Sequence, residues 1–345
     1  MAAQPTPSLD IEQSSALLAY LRAHQHIASD ETPRIEVLAG GISSRTVLVE
    51  RASGEAWVLK QSLDKLRVAT DWFSDPQRIH CEALAMRWFN RLLPSGRVPT
   101  LIFEDHDAHV VAMQAVPQPH ENWKKRLLTG GLSQAHAASF GSLLGQLHRL
   151  TYDHRTEVQP SFAACNFFES LRLEPYYRYT STQIADAADF LTALITDTLA
   201  HPLTLVHGDF SPKNVLIYQD QPILLDHEVA HWGDPAFDIG FSLTHLLCKA
   251  HHLAAQRSDF GAASKLYWHS YLHELGDLDW HASLEPRAVH HTLGCLMARA
   301  AGRSQVEYLS ADAKQRQISV VCQLMHAPPT TIPDLIDHFL ARLST

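Results

Sequence analysis

Hydrophobic and polar positions change rhythm several times along the chain. Arg34 to Leu38, Thr46 to Glu50 and Ala56 to Lys60 are β-rich runs separated by turn-forming stretches at Ala39 to Arg45 and Arg51 to Glu55. They predict a small antiparallel sheet. Ahead of it, residues 8 to 27 follow helical spacing, with Leu17, Leu18 and Leu21 on one side and Ser8 or Asp10 as cap. This helix is expected to lie over the sheet. Asp75 and Pro76 suit a helix start, with Ile79, Ala83, Met86 and Phe89 as its apolar side. A second hairpin, Thr100 to Glu104 and Val110 to Gln114, turns over Asp105-His106-Asp107 and ends at Pro117 and Pro119. Ser133 to Leu150 is a strong helix with Phe140, Leu143, Leu144 and Leu147 on its stripe. Periodicity fades over 151 to 180, where the aromatics Phe162, Phe167, Phe168, Tyr176, Tyr177 and Tyr179 suggest an acceptor pocket or plain core. Ile184 to Ala200 is helical, and after Asp238 the pattern is helical to the end, chiefly Phe241 to Ala250, Ala262 to Leu275, Arg287 to Gly302 and Gln315 to Met325.

Between these blocks, Leu203 to Phe237 carries the chemistry. Leu203 to Val206 reads as a buried strand that breaks at His207-Gly208-Asp209. Val215 to Tyr218 and Ile223 to Leu225 read as a hairpin over the four-residue turn Gln219 to Pro222. Residues entering the first strand and leaving the second meet at the open end, so Asn214 and Asp226 converge. Two such oxygen donors suit a hard divalent cation such as Mg²⁺, and Asp209 is left to accept a proton. The spacing Asp-x₄-Asn matches the catalytic loop of protein kinases. Yet His207-Gly208-Asp209 and Asp226-His227-Glu228 depart from the protein-kinase words.

With Gly233-Asp234-Pro235-Ala236-Phe237-Asp238 added, the segment resembles the aminoglycoside phosphotransferase and choline kinase-like superfamily. That family's pattern is His-Gly-Asp-x₄-Asn, Asp-x-Glu and Gly-Asp-Pro-x-x-Asp. The resemblance implies an α+β, protein-kinase-like two-lobed fold: a β-rich ATP-binding lobe over residues 1 to 116 and a mainly helical catalytic and acceptor-binding lobe over 117 to 345. It implies ATP and Mg²⁺, with Asp209 as catalytic base and Asn214 and Asp226 on the metal. Lys60 would be the strand lysine held on the α and β phosphates by Glu82. Glu228 would assist metal or acceptor, and Asp238 would brace the catalytic loop beside His207. The turn containing Gly40, Gly41, Ser43 and Ser44 is the candidate phosphate cradle, because small residues let backbone N–H groups approach an anion. Backbone groups near Gln114 to Val116 would read the adenine edge at the hinge. His148 reads as a hydrogen-bonded core histidine beneath the catalytic loop. Phe237-Asp238-Ile239-Gly240 resembles methylthioribose kinases, although aminoglycosides, choline, homoserine and sugars all fall within the superfamily.

Bulk properties narrow the rest. The net charge of −9 is confined to one part: residues 1 to 150 carry 15 acidic and 15 basic side chains, and 151 to 345 carry 22 and 13. This argues against nucleic acid and makes a cationic acceptor the expectation for the second lobe. Five dispersed cysteines read as reduced packing residues. No run suits a membrane span or signal peptide, so the cytoplasm is expected. The paired histidines His251-His252 and His290-His291 point too far apart on a helix to chelate together. The reading is an ATP-dependent O-phosphotransferase acting on a small hydroxyl compound such as an aminoglycoside, amino alcohol or sugar. A protein kinase and a non-catalytic nucleotide-binding pseudokinase are the alternatives. An Ala-Pro-Glu segment is lacking, which counts against the first; Lys60, Asp209, Asn214 and Asp226 are all present, which counts against the second.

Overall fold

The computed structural model describes residues 9–39, 41–68 and 71–343. Gly40 and the proposed cap Ser8 lie outside them. Five antiparallel strands, β1 (Arg34–Val37), β2 (Ser44–Glu50), β3 (Ala56–Ser62), β4 (Leu101–Asp105) and β5 (Val110–Gln114), form a sheet in the order β1-β2-β3-β5-β4. Helix α1 (Ser14–Ala23) packs Leu17, Tyr20 and Leu21 on Val47, Val49, Trp57 and Leu59.

Helix α2 (Arg78–Leu92) differs from expectation in two ways. It starts two residues beyond Pro76, and Asp75 Oδ1 accepts from the Gln77 N–H (2.9 Å) rather than capping the first turn. It also has two apolar faces instead of one. Ile79, Ala83 and Met86 pack on Val111 and Met113 of the sheet, whereas Cys81, Ala85 and Phe89 join the core of the helical lobe. Positions four apart share a helix face, so both stripes fit one helix. Residue 81 also carries a correction. Cys81 and Cys165 form a disulfide, so two of the five cysteines are not reduced packing residues. Cys248, Cys295 and Cys322 are free.

The remainder is mainly helical. After β6 (Glu121–Asn122) and α3 (Trp123–Leu128) comes α4 (Gln134–Asp153), capped by Ser133 as its sequence requires. Gly141 and Gly145 let α4 approach the backbone of Tyr267 and Tyr271 so closely that a Cβ would stand 2.2 and 2.5 Å from their carbonyl oxygens. Helix α5 (Arg155–Ser161) leads to a π-helical stretch, Glu169–Arg178, then α6 (Tyr179–Gln183) and α7 (Ala188–Ala200). A π-helix bonds one residue further along than an α-helix, which removes the 3.6-residue period over 169 to 178. Phe162, Phe168, Tyr176 and Tyr177 are buried there.

Strands β7 (Thr204–Val206) and β10 (His231–Gly233) pair, and so do β8 (Val215–Tyr218) and β9 (Gln221–Leu224). The β8–β9 loop has two residues rather than four: Tyr218 pairs with Gln221, and Gln219 and Asp220 both take positive φ (48° and 57°), as a tight hairpin turn requires. Pro222 falls inside β9, an edge strand where a missing N–H is tolerated. Helices α8 (Pro235–His252), α9 (Arg257–Leu275), α10 (His281–Ala301), α11 (Ala311–His326) and α12 (Ile332–Arg342) complete the lobe. No helix among the described residues is long and apolar enough to cross a membrane.

Candidate active site

The β8–β9 hairpin does what its spacing requires. Leu225 N donates to Asn214 O (2.9 Å), which closes the hairpin mouth. Asp226 follows with φ 67°. Asn214 gives its amide N–H groups to Asp209, at 3.0 Å to the carbonyl and 2.8 Å to Oδ2. Its amide oxygen is therefore the atom left for a cation.

Gly208 fixes the approach of Asp209. It has φ 75°, and a Cβ there would lie 2.7 Å from Val229 Cγ1 and 2.9 Å from Val229 O. Only glycine combines that conformation with so close a neighbour. Asp238, at the start of α8, accepts from His207 N–H (2.7 Å) and Gly208 N–H (2.9 Å). His148 Nε2 stands 3.4 Å from the same carboxylate, and His148 Nδ1 is 3.0 Å from Tyr271 Oη. His207 Nδ1 accepts from Asp209 N–H (3.1 Å). Burial holds the His207 imidazole below its ordinary pKa, consistent with an acceptor nitrogen.

Lys60 on β3 reaches across the cleft. Its Nζ donates to Glu82 at 2.7 and 2.8 Å and to Asp226 Oδ1 at 2.5 Å. Burial opposes charge on Lys60, but Asp226 and Glu82 outweigh it and raise its pKa. The pair divides the burden unequally. Burial pushes Glu82 up to about 7 despite Lys60, whereas Lys60, with Lys213 adding to it, holds Asp226 well below the usual carboxylate range against its burial.

The phosphotransferase enzyme family matches residues 34–273. The chain belongs to that family. Methylthioribose kinase 2 of rice is 23% identical over 264 residues, covering 68% of this chain and 62% of its own length. The chain thus spans less than two thirds of that relative. Methylthioribose kinase of Pectobacterium carotovorum is 22% identical, covering 76% and 74%. Among solved structures, a choline/ethanolamine kinase family protein from Mesorhizobium loti superposes with TM-score 0.51 at 14% identity, covering 96% of this chain and 98% of that one. A macrolide 2′-phosphotransferase from Brachybacterium faecium gives 0.52 at 16%, covering 91% and 99%. At such identities the superpositions establish the shared fold.

Other expected positions are less engaged. Gly41 packs against Ser44 O, where a Cβ would stand at 2.2 Å. Ser43 O accepts from Leu63 N–H (2.9 Å), and the Ser44 hydroxyl is buried without a partner among the described residues. At the hinge, Gln114 is exposed and its N–H goes to Thr100 O (2.8 Å), while Val116 O lies 3.1 Å from His120 Nδ1.

Two arginines had escaped the sequence reading. Arg78 is fully buried and spends every donor: Nε on Glu228 (3.0 Å), Nη1 on Ser74 O and Asp75 O, Nη2 on Ser43 O and Leu63 O. It joins the glycine-bearing turn, α2 and the Asp-x-Glu segment, and occupies one oxygen of Glu228. Arg172 donates to Gly208 O (2.6 Å) and stands 3.1 Å from Asp209 Oδ2. A helix-start arginine and an arginine in an aperiodic stretch carry no local signal of such contacts.

Proposed function

We propose that the chain is an ATP-dependent O-phosphotransferase acting on a hydroxyl of a small molecule, with its lobes meeting near residue 116. The observation that carries this reading is the convergence of Lys60, Glu82 and Asp226 across the cleft, beside an Asp209 held by Asn214. Lys60 would contact the α and β phosphates, and Glu82 would fix the direction of Lys60. Asp226, held ionised, and the amide oxygen of Asn214 form a hard donor set that fits Mg²⁺. When bound, the ion would neutralise phosphate charge. Asn214 and Arg172 both hold Oδ2 of Asp209, which leaves Oδ1 to take the acceptor's proton. The acceptor oxygen then bonds to the γ phosphorus, the bond to the bridging oxygen breaks, and ADP carries away that electron pair. Asp238 keeps the loop in place through two backbone N–H groups. The names of the relatives support methylthioribose as a first acceptor to assay. A panel of hydroxyl compounds with magnesium and ATP should give acceptor-dependent ADP release from one small molecule; phosphorylation of a protein substrate alone, or none at all, would contradict the reading.

A further inference from the structure

We propose that the acceptor side of this cleft is a binding site for an anionic group, so that the acceptor carries a carboxylate or phosphate besides its reacting hydroxyl. This rests on the phosphotransferase reading and deepens it.

Contacts run in a closed circuit that starts and ends at the catalytic loop. Arg172, beside Asp209, lies over the rings of Tyr176 (5.8 Å) and Phe241 (5.6 Å). Arg299 of α10 lies over the same two rings, at 5.1 and 5.3 Å. Arg299 Nη2 donates to His245 Nε2 (2.9 Å), and Lys249 Nζ donates to His245 O (3.1 Å). Lys249 stands 5.5 Å from the Tyr308 ring, next to Glu307, which pairs with Lys124 of α3. Asn122, the cap of α3, donates to Lys213 O (2.7 Å) in the catalytic loop. The circuit therefore ends in the loop where it began.

Five cations stand on it, Arg172, Arg299, Lys249, Lys124 and Lys213, against the carboxylates of Asp209 and Glu307, with Asp226 and Glu228 also acting on Arg172. Among the described residues Arg299, Lys249 and Lys213 enter no ion pair. Lys249 is fully buried, with one carbonyl of its own helix as hydrogen-bond partner. Arg299 Nη1 donates to Ser304 O (2.6 Å) and Oγ (2.9 Å), whereas Arg299 Nε and the Tyr308 hydroxyl are buried without partners among the described residues. Buried charges are normally paired, and guanidinium and ammonium donors are the usual means of holding carboxylate or phosphate. The local sign is thus opposite to the −9 of the whole chain and to the cation that total suggested. Burial pushes Lys249 down to about 7, opposed by Cys248, with Lys124 and Arg299 adding to the fall and Glu307 opposing it; an anion beside it would restore its proton. Burial, helped by Arg299 and Lys249, holds His245 well below its ordinary pKa, and burial pushes the Cys248 thiol up to about 11.

Titration calorimetry with inorganic phosphate, on the whole chain saturated with MgADP at pH 8, tests the site. The expected result is one phosphate bound with proton uptake, weakened about tenfold or more in Arg299→Gln and in Lys124→Gln, whose side chain is half-buried. Lys249→Met, checked for folding by circular dichroism, should lose the proton uptake. No binding up to about 20 mM, or equal binding in all variants, overturns the proposal. Ribose 5-phosphate and gluconate, run against methylthioribose and choline, separate a phosphate from a carboxylate acceptor. A neutral or cationic compound as best substrate overturns the anion site and leaves the phosphotransferase standing. Failure to bind MgADP would strike the phosphotransferase reading instead, since none of the varied residues touches Lys60, Glu82 or Asp226.

Discussion

At the residue scale, the two oxygens of Asp209 have different surroundings: Oδ2 accepts from Asn214 and faces Arg172, and Oδ1 has no hydrogen-bond partner among the described residues. Glu82 offers a sharper test because its burial outweighs the opposing pull of Lys60. Its pKa stands at about 7 against an ordinary 4.5, chiefly from burial. A raised carboxyl pKa means the folded chain binds the proton more tightly than the unfolded one, so this contribution to stability is present below pH 4.5 and is lost as pH rises through about 7. Wild type should therefore lose stability relative to Glu82→Gln between pH 5 and 8 in denaturant unfolding; an advantage that grows with pH would contradict the assignment. Asp209, Asn214, Asp226 and Asp238 were legible because each sits at a fixed spacing from a strand end or helix start. Arg78 and Arg172 were not, because their partners are 150 and 36 residues away and no local pattern encodes such contacts.

At the element scale, α2 explains why one apolar stripe was too simple a reading. A helix that lies between two cores needs two stripes, and a one-dimensional pattern cannot say which apolar residue faces which core. Arg78 opens this helix and spends five donors on four backbone carbonyls and Glu228. Arg78→Met would leave these acceptors without their donor, and buried hydrogen bonds to a charged group contribute about 1.5 to 3 kcal/mol each. The variant should unfold at clearly lower denaturant, with weaker MgATP binding because the Ser43 carbonyl loses its anchor. Unchanged stability would mean that water replaces the guanidinium. The π-helical turn that brings Arg172 to Asp209 is the other element the sequence concealed, since aperiodicity reads equally as loop.

At the scale of the whole molecule, the lobes are joined by the Lys60–Asp226 and Arg78–Glu228 ion pairs and by the Cys81–Cys165 disulfide, which links residues 84 apart. Spacing alone could not reveal that bond, because the two cysteines meet only when α2 docks on the helical lobe. It removes one of the reasons for expecting a reducing compartment. Thiol titration of the unfolded, unreduced chain should count three thiols, from Cys248, Cys295 and Cys322, and reduction should cost about 2 to 4 kcal/mol of stability. Five thiols would contradict the disulfide. The two-lobed architecture was legible from the change of rhythm after Gln114 together with the motifs, whereas the charge balance misled, because a sum over 195 residues says little about the few beside Asp209.

The central claim is that Asp209 accepts the proton of a hydroxyl while Lys60, Glu82 and Asp226 hold the nucleotide. The most direct measurement compares Asp209→Asn with wild type for MgATP affinity by calorimetry and for turnover of the best acceptor by ADP release. The predicted result is unchanged affinity with turnover reduced about 10² to 10⁴-fold. Turnover within about twofold of wild type, or affinity lost together with turnover, would contradict the account.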